Sequence, residues 1–416
     1  MENNVVVYIL AGGLGTRLAH LAGDNPKPMV QIGNLPFLEW QILFLSRQGF
    51  RDFVLLVGHR RQVIIDYFGD GSHWGVKIRY AIEETLLGTG GAFLQALQQY
   101  PSEWFLLLNG DTYFDFPYSI LIEQAQKQPD SLWLGLKLRT DLARYGTVEV
   151  DSNWCIQAFT EKGVTQQEGY INGGVYAGNS RLFSEETVRR CSLEEDLFPQ
   201  LLAKQSLYGL PFGNKFIDIG IPDDFFYAGE HLPEWFKRPK QPALFLDRDG
   251  ILIEDTGYVG KVSEVSILTD CLPTLLAAQT AGYQLIIITN QAGIAKGKYS
   301  EKDMQQTHDY LRQWFADHGV EFTDIYFCPY HPEAVIPEYQ RSSLFRKPSP
   351  GMILTSADQH YIDLANSLMI GDKDSDVIEL PYLTSWLIQG NYPLTRSDHL
   401  SNWQSLTRFF ESIHQD

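Results

Sequence analysis

At 416 residues the chain exceeds what one ordinary hydrophobic core supports, so two domains are expected. Its net charge of −18 excludes a nucleic-acid binder with a basic surface, although a few local cations and backbone N–H groups can still grip small phosphate substrates. The four cysteines lack paired spacing, as in a reducing compartment. No apolar segment approaches the roughly 20 residues that cross a bilayer, so a cytoplasmic location without a membrane partner is expected.

In the first half, VVVYIL (5–10), FVLLVG (53–58) and WFLLLNGD (104–111) read as buried strands separated by amphipathic stretches. That alternation predicts a mostly parallel sheet flanked by helices. From about 131 to 180 the pattern changes to short strands with polar turns, which predicts an antiparallel appendage. The Pro-rich, basic stretch 232–242 predicts a linker between a first domain, 1–231, and a second, 243–416. The second begins a new cycle: ALFLDRDG (243–250), YQLIIITN (283–290) and ANSLMIGDKDSD (365–376) are strands with polar ends, and 271–281 and 301–318 are helical. The fold class expected is α/β, with two domains that each carry a mostly parallel, doubly wound sheet. Ligands then belong at the carboxyl ends of the strands.

The first strand runs into Leu10-Ala11-Gly12-Gly13-Leu14-Gly15-Thr16-Arg17-Leu18. Glycines let the backbone approach phosphate oxygens, a helix start aims free N–H groups at them, and Arg17 adds a charged fork. Leu18 stands where a dinucleotide fingerprint needs its third glycine, and no Gly-Lys-Ser/Thr follows. Taken alone, the segment also fits a plain strand-to-helix turn. Lys27 lies between Pro26 and Pro28, a stiff mount for a phosphate-facing cation. Gly88 and Gly90 belong to a second glycine-rich turn suited to a base or ribose. Asp111 and Asp218 end apolar strands, where carboxylates can hold Mg²⁺. Taken singly, Asp111 equally fits a strand-end cap, and Lys162 a solvated surface charge.

With these motifs in order, residues 1–230 resemble the sugar-1-phosphate nucleotidyltransferase family, which shares the GGxGTRL loop, the PKPM/L lysine, the GTGGA turn and the GD aspartate. The resemblance implies a nucleotide site made of Leu10, Gly12, Gly13, Gly15, Thr16, Arg17, Lys27, Gly88, Gly90 and Asp111, with Arg17 and Lys27 acting on the phosphates. It implies Mg²⁺ on Asp111 and Asp218, and a sugar phosphate held by Glu161, Lys162 and Asn172. In that chemistry a sugar-phosphate oxygen attacks the α-phosphorus and pyrophosphate leaves. The protein positions two mutually repelling anions and needs no nucleophile of its own.

In the second half, Asp247 and Asp249 lie two residues apart at a strand end, where they repel unless a cation sits between them. Thr289, Lys347 and the Gly371–Asp376 segment follow. This order resembles the haloacid dehalogenase-like phosphatases. The resemblance implies that Asp247 attacks phosphorus, Asp249 serves as acid and base, and Thr289 and Lys347 hold the phosphoryl oxygens. Asp247, Asp249 (through its backbone carbonyl) and Asp372 would bind Mg²⁺. DRDG…GYV, TNQAGIAKG and RKPSPGM resemble the heptose 1,7-bisphosphate phosphatase branch more narrowly, with Asp255, Tyr258, Asn290, Gln291, Arg346 and Lys373 at the substrate. Histidinol-phosphate phosphatases share several of these segments. That branch usually carries a zinc loop, but here Tyr330 stands at the expected histidine, and Ser343 and Phe345 replace the later cysteines. Zinc needs four good ligands, so none is expected. The loop 328–346 should be held by its aromatic residues or be mobile.

Residues 36–41 resemble the heptose 1-phosphate guanylyltransferase group. The two halves together imply consecutive steps of GDP-heptose synthesis, with GTP and sugar phosphates as substrates and GTP resting on resemblance alone. Alternatives are another sugar-1-phosphate nucleotidyltransferase, such as a mannose-1-phosphate one, joined to a sugar-phosphate or histidinol-phosphate-type phosphatase, or one head serving as a regulatory module. A homo-oligomer is compatible with either.

Overall fold

The computed structural model describes residues 5–13, 25–142, 146–160 and 168–413. The chain divides into two units, Met1–Arg238 and Pro239–Asp416. None of the described helices is long and apolar enough to cross a membrane.

The first unit starts from β1 (Val5–Leu10), whose run of apolar residues is buried on both faces. Helix α1 (Phe37–Arg47) leads to β2 (Asp52–Val57), α2 (Arg61–Phe68) to β3 (Lys77–Ile82), and α3 (Gly88–Gln99) to β4 (Trp104–Asn109). These strands are parallel in the order β3-β2-β1-β4. The order reverses beside β1, so a crevice opens where the carboxyl ends of β1 and β4 diverge. Next come β5 (Thr112–Phe114), α4 (Tyr118–Lys127), β6 (Leu132–Arg139), β7 (Thr147–Val150), β8 (Ile156–Thr160), β9 (Gly169–Asn179), β10 (Leu207–Phe212) and β11 (Phe216–Asp218). β9 runs antiparallel to β4, β6 and β7, and this is the antiparallel appendage expected from 131 onward. β5 and β11 form a separate two-stranded ribbon that sets Asp218 opposite Thr112.

One boundary differs from expectation. Helix α5 (Pro222–Lys237) runs through most of the stretch read as linker. Leu232 and Trp235 are buried, and Phe236 meets Trp40 edge-on at 5.0 Å beneath the Arg47 guanidinium. That packing outweighs the one hydrogen bond lost at Pro233. Only residues 238–242 remain as connection.

In the second unit all the paired strands of the sheet are parallel. β12 (Ala243–Leu246) is followed by α6 (Leu272–Thr280), β13 (Gln284–Asn290), α7 (Glu301–Ala316), β14 (Phe322–Cys328), α8 (Gly351–His360), β15 (Leu368–Gly371), β16 (Thr384–Ile388), β17 (Leu400–Ser401) and α9 (Trp403–Ile413). Strand order is β14-β13-β12-β15-β16-β17, so the reversal falls between β12 and β15. Asp247 and Asp372 each follow one of these strands. α9 buries Leu406 and Phe410 in the core shared with α6.

Gly110 joins β4 to Asp111, and a Cβ there would lie 2.3 Å from the Leu10 carbonyl oxygen. Gly110→Ala is expected to destabilise the fold by about 2 kcal/mol, read as a lower urea midpoint. Gly229→Ala, where an added Cβ meets nothing within 4 Å, is the control and should leave the midpoint in place or raise it.

Candidate active sites

A cleft of about 380 Å³ sits at the crevice of the first unit, and Leu10, Gly12, Gly13, Lys27, Gly88 and Asp111 all line it. Its floor is fixed by main-chain bonds: Ala11 N donates to Leu56 O at 2.9 Å and Gly110 N to Leu10 O at 3.0 Å. Lys27 stands on a short 3-10 turn after Pro26, with Nζ 2.5 Å from Asp111 Oδ2. Ile219 N donates to Asp111 O at 3.0 Å, which brings Asp218 alongside. Burial, and then the Asp111 charge, push Asp218 up to about 6 against the pull of Lys27. Among the described residues its buried Oδ1 has no hydrogen-bond partner. Two crowded carboxylates with an orphaned oxygen, only partly offset by one lysine, fit a divalent cation.

Three expectations in this unit need restating. Gly90 does not line the cleft: its N–H donates to Cys191 O at 3.0 Å, and a Cβ there would lie 2.9 Å from Cys191 Sγ. Its role is to let the 189–192 segment lie against the turn. Asn172 does lie at a cleft wall, but its amide is already engaged. Oδ1 accepts from Gly174 N at 3.0 Å, and Nδ2 donates to the Tyr176 hydroxyl at 2.9 Å and to Glu194 Oε1 at 3.3 Å. Gly15, Thr16, Arg17, Glu161 and Lys162 lie outside the described residues. Sequence reading missed Gln41, whose Nε2 donates to Asn109 O at 2.9 Å and Thr112 O at 2.6 Å, clamping both sides of Gly110-Asp111. A glutamine among apolar residues of α1 was the available signal, because a buried amide must find partners.

In the second unit a cleft of about 400 Å³ opens at the carboxyl ends of β12, β13 and β15. Carboxylate oxygens of Asp247, Asp372 and Asp376 lie within 4.8 Å of one another. Lys347 Nζ is 2.8 Å from Asp247 Oδ1 and 2.6 Å from Asp376 Oδ1. Burial opposes its charge, but these two carboxylates outweigh that and raise its pKa. Among the described residues, Asp372 has only Lys373, with Nζ 4.0 Å away. Both its oxygens are buried without a hydrogen-bond partner, and burial, with Asp247 and Asp376 adding to it, pushes it up to about 7 although Lys373 opposes. Glycines make the room: a Cβ on Gly250 (φ +86°) would lie 2.1 Å from Asp372 Oδ2, and one on Gly371 2.2 Å from Asp376 Oδ2. The donor set, all hard oxygen, fits Mg²⁺.

The structure adds one carboxylate to the expected metal set, in which Asp249 was to contribute only its main-chain carbonyl. The Asp249 carboxylate is outside this cluster, held by the fully buried Arg248 (Nη2 at 2.8 and 3.0 Å, Nε at 3.1 Å) and by Gln291 Nε2 at 3.0 Å. Asp376, four residues beyond Asp372 across a 3-10 turn, joins Asp247 and Asp372, a spacing visible in the sequence but not used. His308, pushed down to about 3 by burial and by Arg248, stays neutral 3.4 Å from Arg248 Nη1.

Thr289 is fully buried, and its Oγ1 accepts from Gln291 Nε2 at 2.8 Å. Gln291 also accepts from the Tyr299 hydroxyl at 2.6 Å and lies beneath the cleft rather than lining it. Asn290 lines the cleft, yet its amide closes a reciprocal pair with the Lys347 main chain at 3.1 and 3.0 Å. Both residues thus hold Lys347, Thr289 and Asp249 in place. Asp255, Tyr258, Arg346 and Lys373 line the cleft. Lys373 Nζ is 2.6 Å from Asp255 Oδ2 and 4.7 Å from the ring centre of Tyr392, an additional wall residue. In the 328–346 loop Arg341 stacks 3.7 Å over Tyr330, which meets Tyr339 at 6.1 Å, while His331 Nδ1 accepts from Glu333 N. Among the described residues, Asp247–Asp372–Asp376 is the group of three or more His, Cys, Asp or Glu spaced to hold a metal.

Asp218 and Asp372 bind protons more tightly folded than unfolded. Without metal, the stability they contribute when protonated is lost as pH rises from the usual 3.8 through about 6 and about 7. Mg²⁺ should therefore raise the Tm more at pH 8 than at pH 5, where protons occupy these oxygens. Equal shifts at both pH values, measured by scanning calorimetry, would contradict the assignment.

Residues 6–234 match the nucleotidyl transferase family and residues 344–378 the HAD-hydrolase-like family. The D-glycero-alpha-D-manno-heptose 1-phosphate guanylyltransferase of Campylobacter jejuni is 39% identical over 219 residues, 53% of this chain and 96% of that protein. The D-glycero-alpha-D-manno-heptose-1,7-bisphosphate 7-phosphatase of Burkholderia mallei is 45% identical over 138 residues, 33% of this chain and 73% of that protein. The crystal structure of HddC from Yersinia pseudotuberculosis complexed with GMP-PN is 34% identical and superposes with a TM-score of 0.50, covering 55% of this chain and 99% of that one. The chain belongs to the nucleotidyl transferase family through its first unit, and through its second to the HAD-like family of heptose-bisphosphate phosphatases.

Proposed function

We propose that this chain removes the 7-phosphate of D-glycero-D-manno-heptose 1,7-bisphosphate and then transfers GMP from GTP to the heptose 1-phosphate, releasing pyrophosphate. The observation that carries it is the pairing itself. The two units have relatives named for consecutive reactions, the product of one being the substrate of the other. The alpha anomer is the proposed form, because the guanylyltransferase relative is named for it. A cytoplasmic location goes with nucleotide substrates and four free cysteines.

In the phosphatase cleft, an Asp247 oxygen attacks the 7-phosphorus and forms an aspartyl-phosphate as the C7 oxygen leaves. Asp249, oriented by Arg248 and Gln291, gives that oxygen its proton and then takes one from the water that hydrolyses the acyl phosphate. Lys347, lodged between Asp247 and Asp376, offsets the repulsion between nucleophile and phosphoryl oxygens. In the transferase cleft, a phosphate oxygen of the heptose 1-phosphate attacks the α-phosphorus of GTP. Lys27, with Arg17 and Lys162 as further proposed cations, offsets the charge of the two anions, and glycine main chain allows their close approach. Mg²⁺, held by Asp247, Asp372 and Asp376 in one cleft and by Asp111 and Asp218 in the other, supplies further neutralisation of phosphate oxygens when bound. Zinc has no part in this reading.

The test supplies heptose 1,7-bisphosphate with each nucleoside triphosphate in turn. Phosphate should appear without any nucleotide, and pyrophosphate only with GTP. Asp247→Asn should lower phosphate release about 1,000-fold or more while leaving pyrophosphate release from supplied heptose 1-phosphate, and Asp111→Asn should do the reverse. Comparable transfer to mannose 1-phosphate would overturn the heptose assignment.

A further inference from the structure

The phosphatase cleft has a wall that the chemistry above leaves unused. It is the 389–392 segment, which follows the carboxyl end of β16, the parallel neighbour of β15. Gly390 packs against the carboxylate cluster, where a Cβ would lie 2.9 Å from Asp372 Oδ2. Asn391 Nδ2 donates to the Asp255 main-chain oxygen at 3.4 Å, and Gln389 Nε2 donates to Tyr392 O at 3.2 Å. These contacts carry Tyr392 to the cleft, which it lines.

Among the described residues three tyrosines line this cleft. Tyr299 is buried, and its hydroxyl donates to Gln291 Oε1 at 2.6 Å. Tyr258 and Tyr392 are exposed. Lys373 Nζ is held by the Asp255 carboxylate at 2.6 Å and by the Tyr392 ring, 4.7 Å from its centre. The Tyr392 hydroxyl engages Asp255 as well. An ammonium drawn to a carboxylate and to the negative face of a ring has little freedom to swing away. Tyr392 is still 39% exposed after these contacts, so part of its ring is open to a substrate.

We propose that Tyr392 determines which leaving group the phosphatase accepts, by packing its exposed ring against the C–H surface of a sugar. This deepens the phosphatase reading above and rests on it. The phosphoryl group must sit at Asp247, so the carbon skeleton attached to it extends along the remaining walls. An aromatic face cannot hold phosphate oxygens, which its negative π cloud repels. It packs instead on C–H bonds, whose hydrogens carry slight positive charge. The same ring steadies Lys373, so aromatic and cationic contacts with the leaving group are set together.

The experiment compares heptose 1,7-bisphosphate with acetyl phosphate, whose leaving group carries no sugar, using the full chain with Mg²⁺. The readout is the ratio of kcat/KM for the sugar substrate to that for acetyl phosphate. Tyr392→Leu should lower this ratio at least about tenfold, mainly through a higher KM for the bisphosphate. Tyr392→Phe, which keeps the ring and loses the hydroxyl, should hold it within about threefold. An unchanged ratio in Tyr392→Leu would overturn the proposal, as would a proportional fall in both activities, which is what simple loss of structure produces. A fall in Tyr392→Phe as large as in Tyr392→Leu would overturn the ring contact and assign the effect to the hydroxyl. Should the unsubstituted chain hydrolyse acetyl phosphate but not heptose 1,7-bisphosphate, the substrate reading itself fails, and this inference with it.

Discussion

Like charges forced together at the ends of two central strands are the constraint around which both units are arranged. In the first, Lys27 pairs with Asp111 and only pulls electrostatically on Asp218; in the second, Asp247 and Asp376 share Lys347, and Asp372 has Lys373 no nearer than 4.0 Å. A carboxylate buried beside its own kind costs several kcal/mol unless protonated or matched by a cation. The lysines supply part of that match and leave orphaned oxygens for the rest. The two units thus reach one electrostatic solution with unrelated motifs, each at a reversal of strand order where the sheet itself leaves an opening.

Crowding of this kind also dictates what cannot be present. Main chain and carboxylates approach so closely at Gly110, Gly250 and Gly371 that a single methyl group would overlap them. Next to these glycines stand residues that hold other residues in place: Gln41 around Gly110-Asp111, Asn290 on the Lys347 main chain, and Gln291 between Thr289 and Asp249. These three amides are spent largely on neighbouring main chain and side chains.

The strands, the parallel class of each sheet and the acidic strand ends were legible in the sequence because apolar runs and glycine turns are local signals. So was the antiparallel change after 131. What failed depended on contacts between distant segments. Pro233 and the basic residues after it read as a linker, but Leu232, Trp235 and Phe236 find partners near α1 that no local pattern announces. Gly90, Asn172 and Gln291 lie in the expected neighbourhoods, but their bonds to Cys191, Gly174, Tyr176, Thr289 and Asp249 could not be read, since the sequence shows which groups are polar but not which are already bonded. Asp376 was passed over for the same reason: only the turn brings it back over Asp372 and Asp247.

The bonding between the Gly88–Gly91 turn and the 189–193 segment carries a consequence for how this catalyst can diversify. Because one glycine-rich turn lines the first unit's cleft and simultaneously seats the π-helical turn Leu193–Leu197, neither wall can be remodelled without disturbing the other. Substitutions in either segment would have to be matched in the other, so that the two behave as one module although about a hundred residues separate them in the chain. Grafting this cleft wall from another chain would accordingly require moving both segments together.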